Sequence, residues 1–316
     1  MTDRSLADAL RAAAAALARA GVVSSRVDAE LIAAHLMGAA TGAEVSRGDV
    51  QSAAVLGLPA PDRFDELVAR RAAREPLQHL TGRSPFRGLE LAVGPGVFVP
   101  RPETEQVAEV AIAEARAIAD RAGRVVVVDL CTGSGAIALA VACEVPTAVV
   151  HAVELDRVAH GWAVRNVARS GLDVRLVRGD ARTALRELDG TVGVVVSNPP
   201  YVPPGAVPID PEVAQHDPAV ALYGLGADGL EVSRGIAAAA ARLLGPGGLL
   251  VMEHAEVQAE AARRLVRSTG VFADVHTRCD LSGRARMVVA RRTSAVRAPR
   301  PCGDLGRAGV VGDSQA

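Results

Sequence analysis

Four consecutive residues, Asn198-Pro199-Pro200-Tyr201, follow the apolar segment VGVVVS and combine residue types that can hold an amino group. An asparagine side chain offers a carbonyl oxygen, and a proline offers a backbone carbonyl without an N–H of its own. Two adjacent prolines fix the backbone and keep these acceptors aimed, while Tyr201 supplies a flat wall. Accepting both hydrogens of a planar –NH₂ group holds its nitrogen in place and increases its electron density during attack. The four residues therefore predict catalysis on a planar amino nitrogen, with no metal required.

A glycine-rich loop in "DLCTGSGAIALAVA" predicts a ligand site upstream. Gly133 and Gly135 come shortly after Asp129, and an apolar helix follows them. Glycines at this position let a ligand approach the backbone at a helix N-terminus. The stretch from Gly133 to Ala138 also fits a dinucleotide fingerprint loosely, so glycine spacing alone does not separate a dehydrogenase from a methyltransferase.

Acidic residues end the next two apolar segments. Glu154 ends "AVVHAVE", at a distance from the glycine loop that suits a ribose hydroxyl pair. Asp180 ends "VRLVRGD" and suits an exocyclic amine. Any one of these acids, or Asp156, could instead be a helix cap or a solvated loop residue. Together, beside one glycine loop, they favour an adenosine-containing ligand.

The elements that must position these residues alternate between strand and helix from residue 125 onward, which is typical of a parallel α/β sheet. Near-continuous valine and leucine runs indicate strands covered on both faces. The candidate strands are VVVVDL, AVVHAVE, VRLVRGD, VGVVVSN and LLVMEH, with two later pieces around residues 271–277 and 285–291 at the far edge.

The rest of the chain divides into three further parts. Residues 1–85 show helical periodicity and predict a small helical bundle. Residues 86–100 alternate apolar residues around Gly94-Pro95-Gly96, which predicts a β-hairpin linker. Residues 101–292 then form the α/β domain, and residues 293–316 lack periodicity and are expected to be disordered.

Composition excludes several classes of function. The 316 residues include 35 basic ones, all of them arginine, so a lysine Schiff base and a lysine-containing phosphate loop are excluded. A net charge of -1 provides no global basic field for nucleic acid, and 2% aromatic residues provide few platforms for base stacking.

The scattered cysteines, at positions 131, 143, 279 and 302, indicate neither a disulfide framework nor a metal site. No apolar run is long enough to span a membrane. We expect a cytoplasmic monomer.

The glycine loop, the acidic strand ends and "NPPY" resemble the class I S-adenosylmethionine-dependent methyltransferases that modify planar amino nitrogens. "REPLQHLTGR" and "VFVPRPETE", together with the helical N-terminus, closely resemble the release-factor glutamine methyltransferases of the PrmC/HemK family. The likeness runs from about residue 5 to 292. It implies a Rossmann-like class I methyltransferase domain with a mostly parallel seven-stranded sheet, preceded by a helical substrate-recognition domain.

The resemblance also implies ligands and residue roles. The cofactor is S-adenosyl-L-methionine, the product is S-adenosyl-L-homocysteine, and the substrate is the glutamine of the Gly-Gly-Gln motif in class I peptide-chain release factors. Asn198 and the Pro199 carbonyl hold the glutamine amide, and Pro200 and Tyr201 wall the pocket. The implied cofactor-binding residues are Asp129, Cys131, Thr132, Gly133, Ser134, Gly135, Glu154, Asp180, Ala181 and Asn198.

Several positions carry separate expectations. Cys131 stands where the family usually has glycine, and its thiol fits if the φ angle there is negative. Arg101 and Glu105 are expected near the cleft without an assigned role. His79 is expected to fix the domain junction, and His254 is the remaining candidate for a base.

Two other functions remain open at this stage. The same pocket could take a nucleobase amino group, adenine N6 or guanine N2, because that group is also a planar –NH₂. The third possibility is a Rossmann-type dehydrogenase, or a nucleotide-binding module without catalysis, and it needs a nicotinamide site and a hydride-handling residue. Neither a nicotinamide site nor a hydride-handling residue is evident in the sequence.

Overall fold

The computed structural model describes residues 4–294, so all but residues 293 and 294 of the expected disordered tail lie outside it. Helices form because apolar residues recur on one face, as at Leu6, Ala9, Ala13 and Leu17 in the first helix, all of which are buried. The α-helices are α1 (Leu6–Arg19), α2 (Ser25–Thr41), α3 (Arg47–Val55), α4 (Phe64–Ala72), α5 (Leu77–Thr81), α6 (Thr104–Ala122), α7 (Ala136–Glu144), α8 (Arg157–Ser170), α9 (Pro211–His216), α10 (Ala219–Leu222), α11 (Glu231–Leu243) and α12 (Ala259–Ser268).

The strands follow the valine- and leucine-rich runs of the sequence. They are β1 (Arg83–Phe86), β2 (Leu89–Ala92), β3 (Val125–Leu130), β4 (Ala148–Glu154), β5 (Val174–Arg178), β6 (Val192–Ser197), β7 (Leu244–Glu253), β8 (Phe272–Cys279) and β9 (Ala285–Arg292). The predicted strands of the α/β domain are therefore confirmed, with β7 extended toward its N-terminus.

Seven strands form one sheet in the order β5-β4-β3-β6-β7-β9-β8. The pairs among β5, β4, β3, β6 and β7 are parallel, whereas β9 is antiparallel to both β7 and β8. Apolar clusters cover both faces of this sheet, as the continuous valine runs require. The predicted α/β fold with a mostly parallel seven-stranded sheet is confirmed.

Helices α1 to α5 form a separate apolar core at the N-terminus. Its largest fully buried side chains include Leu6, Leu17, Ile32 and Phe64. Helix α3 begins with a capping box, in which Ser46 and Asp49 satisfy each other's backbone N–H groups. The expected N-terminal helical bundle is therefore present.

The hairpin between the bundle and the large sheet lies earlier than expected. Strands β1 and β2 pair antiparallel, and their turn is formed by Arg87 and Gly88, both with positive φ. A turn does form at Gly94-Pro95-Gly96, where the Val97 N–H donates to the Gly94 carbonyl at 3.4 Å, but no strand follows it before α6. The hairpin predicted around these residues is therefore wrong. A Cβ atom on Gly94 would lie 2.6 Å from the Trp162 ring, so this glycine permits close packing against α8 instead.

In residues 4–294, no helix is both long and apolar enough to cross a membrane.

Candidate active site

The order of the strands creates a crevice beside β3. The chain runs from β3 through β4 to β5 on one side, and it then returns to place β6 on the other side. Leu130 pairs with Ser197 at the carboxyl ends of β3 and β6, and the Ser197 hydroxyl donates to the Leu130 carbonyl at 2.6 Å. The segments that leave these two strands, beginning at Cys131 and Asn198, therefore start side by side. Open α/β sheets bind ligands at such a switch point.

A cleft of about 630 Å³ opens at this edge of the sheet. Most of the residues expected from the sequence border it. Those that line it are Cys131, Thr132, Gly133, Ser134, Glu154, Asp180, Ala181, Asn198, Pro200 and Tyr201. Asp129, Gly135 and Pro199 do not line it.

Asp129 supports the glycine loop from within the fold. Its side chain is fully buried, and its Oδ2 accepts from the Thr132 hydroxyl at 2.5 Å and from the Ala138 N–H at 3.1 Å. Burial raises the pKa of Asp129 to about 7. These bonds tie the loop to the start of α7, so Asp129 shapes the loop without facing the cleft.

Cys131 adopts a left-handed conformation with φ 65°, as do Gly133 at 57° and Gly135 at 87°. The negative φ that was the condition for the thiol to fit without strain is therefore not met. The loop must reverse direction between β3 and α7, and an L-residue accepts this angle only at a cost in free energy. Burial raises the pKa of the Cys131 thiol, and the neighbouring carboxylates of Glu154 and Asp129 raise it further. The side chain at the cleft is therefore a neutral thiol.

Glu154 ends β4 with a nearly buried carboxylate. Its Oε2 accepts from the Gly133 N–H and its Oε1 from the Asp156 N–H, both at 2.8 Å. Burial raises the pKa of Glu154 despite these bonds. A carboxylate has about four acceptor positions, so lone pairs remain for two hydroxyl groups. The residue fits a ribose diol at this edge of the cleft.

Asp180 is engaged by Arg182. Its Oδ1 accepts from the backbone N–H and Nε of Arg182, and its Oδ2 accepts from Nε and Nη2. The hydrogen bond to Arg182 lowers the pKa of Asp180. An amine reaches this carboxylate only by sharing it with Arg182 or by displacing the guanidinium. Ala181 is buried beside it at the cleft wall.

The corner at residues 198–201 presents two of its polar groups to buried partners. The Asn198 Nδ2 donates to the Thr104 hydroxyl at 3.3 Å, and the Tyr201 hydroxyl donates to Glu253 Oε1 at 3.2 Å. Burial, and then the adjacent Glu253, raise the pKa of Tyr201, so its phenol stays neutral. The tyrosine ring is consequently held as a wall of the cleft.

A glycine-rich segment braces the same corner, and the sequence analysis missed it. A Cβ atom on Gly224 would lie 1.8 Å from the Gly229 carbonyl and 2.5 Å from the Pro200 carbonyl. Gln258 also donates to the Tyr201 carbonyl at 2.8 Å. The glycine pattern in "GLGADG" was the available signal, because glycines recur where backbones approach closely.

Thr104 and Glu253 were also missed as site residues. Thr104 lies within the quoted PRPETE segment, and Glu253 precedes the base candidate His254 at the end of β7. Burial raises the pKa of Glu253 to about 7, although the hydrogen bond from Thr104 opposes this shift. A glutamate at the tip of a central strand was the signal for its position.

Arg101 and Glu105 were both expected near the cleft, and the structure places only Arg101 in its lining. Arg101 lines the cleft and pairs with Asp217 at 2.7 Å. Glu105 does not line the cleft; its Oε1 accepts from the Arg87 N–H of the hairpin turn at 3.0 Å.

His254 and His79, the two histidines with expected roles, do not line the cleft. His254 is 1% exposed and does not line the cleft, and burial lowers its pKa. It is therefore not placed to act as a base on a ligand there. His79 contacts His216 edge to face, with 6.5 Å between ring centroids, and so joins the helical bundle to the segment after the corner.

Two family models match the sequence. The model described as PrmC N-terminal domain matches residues 8–82, and the model described as Methyltransferase small domain matches residues 104–215.

Curated relatives match most of the chain. The release factor glutamine methyltransferase of Streptomyces coelicolor is 50% identical over 277 residues, covering 87% of this chain and 94% of that one. The enzyme of the same name from Mycolicibacterium smegmatis is 47% identical over 287 residues, covering 91% of this chain and 98% of that one. The 4-amino-L-phenylalanine/4-methylamino-L-phenylalanine methyltransferase of Streptomyces pristinaespiralis is 42% identical over 276 residues, covering 86% of this chain and 91% of that one.

Proposed function

Because this chain belongs to the release factor glutamine methyltransferase family, we propose that it methylates the side-chain amide nitrogen of a protein glutamine. The substrate is the glutamine of the Gly-Gly-Gln motif in class I peptide-chain release factors. The methyl donor is S-adenosyl-L-methionine, and the products are N5-methylglutamine and S-adenosyl-L-homocysteine.

One observation carries the proposal. The Asn198 corner and the Cys131–Gly135 loop leave neighbouring strands and border a single cleft. A methyl donor held by the loop and an amino group held by the corner are thereby brought together. The relatives named release factor glutamine methyltransferase supply the identity of the amino group.

The residues at the cleft fit the cofactor. Glu154 retains acceptor capacity for the ribose hydroxyls, Asp180 and Ala181 border the adenine, and residues 131–135 enclose the methionine part beside the N-terminus of α7. S-Adenosylmethionine supplies an electrophilic methyl group on a sulfonium. We propose that Asp129 acts indirectly, by holding the loop that encloses the methionine part of the cofactor.

The protein's contribution to the reaction is placement. Asn198 accepts one amide hydrogen of the substrate, while Pro200 and Tyr201 hold the amide plane. The Pro199 carbonyl is the proposed acceptor of the other hydrogen, although Pro199 itself is not among the residues that line the cleft. Correct placement of two reactants can remove up to about 7–11 kcal/mol from a barrier. The methylated amide then loses a proton to water, so no protein base is needed.

We propose that residues 1–85 form a recognition domain for the release factor and that residues 101–292 form the catalytic domain. The ion pairs that buried Arg71 and partly buried Arg74 form with Glu212 support a recognition role beside the cleft, because they connect the helical bundle to the segment that follows the corner. We further propose that the chain works as a cytoplasmic monomer. A monomeric mass in solution at working concentration is expected, and a dimeric mass contradicts this part of the proposal.

Mass spectrometry of a class I release factor incubated with the enzyme and cofactor tests the function. We expect one added methyl group on the Gly-Gly-Gln glutamine. A release factor with asparagine at that position is the matched control, and it should remain unmodified.

Parallel reactions distinguish other substrates. Duplex DNA and ribosomal RNA test adenine N6 and guanine N2 transfer, and 4-amino-L-phenylalanine tests an aryl amine. Transfer to any of these, with an unmodified release factor, contradicts the proposed substrate.

A further inference from the structure

A chain of hydrogen bonds connects the corner to the start of α6 and the end of β7. Asn198 Nδ2 lies 3.3 Å from the Thr104 hydroxyl oxygen, which lies 2.9 Å from Glu253 Oε2. The other carboxylate oxygen of Glu253 accepts from the Tyr201 hydroxyl at 3.2 Å. Thr104 and Glu253 are both buried, at 5% and 2% exposure. The bond between Thr104 and Glu253 therefore forms away from competing water, while those of Asn198 and Tyr201 are partly buried.

The direction of these bonds follows from the groups themselves. An ionised carboxylate only accepts, and a hydroxyl group has a single hydrogen to donate. Thr104 gives that hydrogen to Glu253, so its oxygen can only accept from Asn198. The –NH₂ end of the Asn198 amide must consequently face Thr104.

The opposite end of the same amide is left for a ligand. Within residues 4–294, Asn198 Oδ1 accepts no hydrogen bond, and Asn198 lines the cleft. If the amide turned over, its –NH₂ group would meet the –NH₂ group of the substrate. Two donors cannot bond to each other, so the reversed amide cannot hold the substrate nitrogen.

We propose that Thr104 and Glu253 are positioning residues that hold the Asn198 amide with its carbonyl oxygen toward the substrate amino group. This inference rests on the proposed function, since it requires an amino group as substrate. Thr104 lines the cleft and Glu253 does not, but neither needs to contact the substrate. Their effect passes through Asn198, and Tyr201 is aligned by the same carboxylate.

The orientation depends on the charge of Glu253. The groups that face it are Thr104 and Glu103 near the start of α6, Tyr201 after β6, and Arg286 of β9. Burial raises its pKa to about 7, so it takes up a proton as the pH falls below that value. A protonated Glu253 can donate to Thr104 and release the constraint on Asn198. We expect kcat at saturating substrates to fall below about pH 7 in the wild-type enzyme, and to fall less steeply in Glu253→Gln, where Asp129, whose pKa is also raised to about 7, still titrates in that range.

The two asparagines of the chain permit a direct test. Selective labelling of asparagine with nitrogen-15 gives side-chain amide signals from Asn166 and Asn198 alone. Asn166 donates to the carbonyls of Ala92 and Ser134, so it serves as an internal control. We expect hydrogen exchange at the Asn198 amide to accelerate in Thr104→Val and to stay slow in Thr104→Ser, with Asn166 unchanged. Equal exchange in Thr104→Val and the wild type would overturn the inference.

Kinetics provide the second readout. Thr104→Val should lower kcat roughly tenfold while KM for the release factor changes little, and Thr104→Ser should restore kcat. An unchanged kcat in Thr104→Val also contradicts the inference. If the wild type leaves the glutamine unmodified, the proposed function fails, but amide exchange still decides whether Thr104 and Glu253 position Asn198.

Discussion

Arg71 Nη1 lies 2.7 Å from Glu212 Oε1, and this ion pair joins helix α4 to helix α9 across 141 residues of sequence. Both side chains are only 9% exposed. Glu212 also accepts from Arg74, and Arg71 also donates to Asp28 of helix α2. The N-terminal helical bundle is thereby attached to the segment that follows the corner and walls the cleft.

Replacing Glu212 with glutamine should destabilise the protein. Arg71 would keep Asp28, but both Arg71 and Arg74 would lose the buried Glu212 carboxylate, at a cost of about 1–3 kcal/mol. Urea unfolding measures this loss. Glu66→Gln is the matched control, because Glu66 pairs with Arg63 on the exposed surface and should change stability by less than about 1 kcal/mol. Equal effects of the two substitutions would contradict a special role for the buried pair.

The same pair should make stability sensitive to acid. Burial raises the pKa of Glu212, but hydrogen bonds with Asp210, Arg74 and Arg71 outweigh burial and lower it to about 2 from 4.5. The same contact raises the pKa of Asp210, so the two carboxyl groups titrate as a pair. A lowered pKa means that the stabilisation is complete above about pH 4.5 and is lost as the pH falls toward 2. Between pH 5 and pH 3, the free energy of unfolding should therefore decrease more steeply in the wild type than in Glu212→Gln. Parallel slopes would argue against this linkage.

Asn198→Ala should slow methyl transfer by roughly 10²–10³, by analogy with the loss of one oriented hydrogen-bonding group from an enzyme site. The physical reason is the loss of the acceptor that holds the substrate amide. Single-turnover rates at saturating cofactor measure the effect, and the far-ultraviolet circular dichroism spectrum checks that the fold is intact. A variant that turns over at the wild-type rate would refute the role of this side chain.

Gly224→Ala should abolish most activity and destabilise the protein. The added methyl group would lie 1.8 Å from the Gly229 carbonyl, so the Asn198 corner and its brace must separate. Overpacking of this kind typically costs about 1–3 kcal/mol or more. Gly161→Ala is the control, because nothing lies within 4 Å of the added atom and the position is in helix α8. That substitution should stabilise the protein by about 0.5–1 kcal/mol.

Cys131→Gly should be more stable than Cys131→Ala by about 0.5–1 kcal/mol, because the φ of 65° penalises any side chain with a Cβ atom. Urea midpoints of the two variants measure the difference. The order is opposite to that expected for Gly161, where alanine is favoured, and the same order at both positions would rule out backbone strain at Cys131.

The main elements of the fold could be predicted from the sequence because their signals are local. The valine runs of β3 and β4 mark strands that need covering on both faces, and the structure places them at residues 125–130 and 148–154. The glycines of the loop and the two prolines of the corner restrict the backbone by their own covalent structure. The residue types in the sequence therefore determined the sheet, the loop and the chemical character of the corner.

Only the tertiary structure decided how these parts are held. Thr104 and Glu253 are 149 residues apart in sequence, and no local sequence pattern predicts that the Thr104 hydroxyl donates to the Glu253 carboxylate. The left-handed angle at Cys131 and the contact between Gly224 and the Pro200 carbonyl likewise arise from packing between distant segments. Close packing and buried hydrogen bonds depend on which surfaces meet, and that is settled when the whole chain folds.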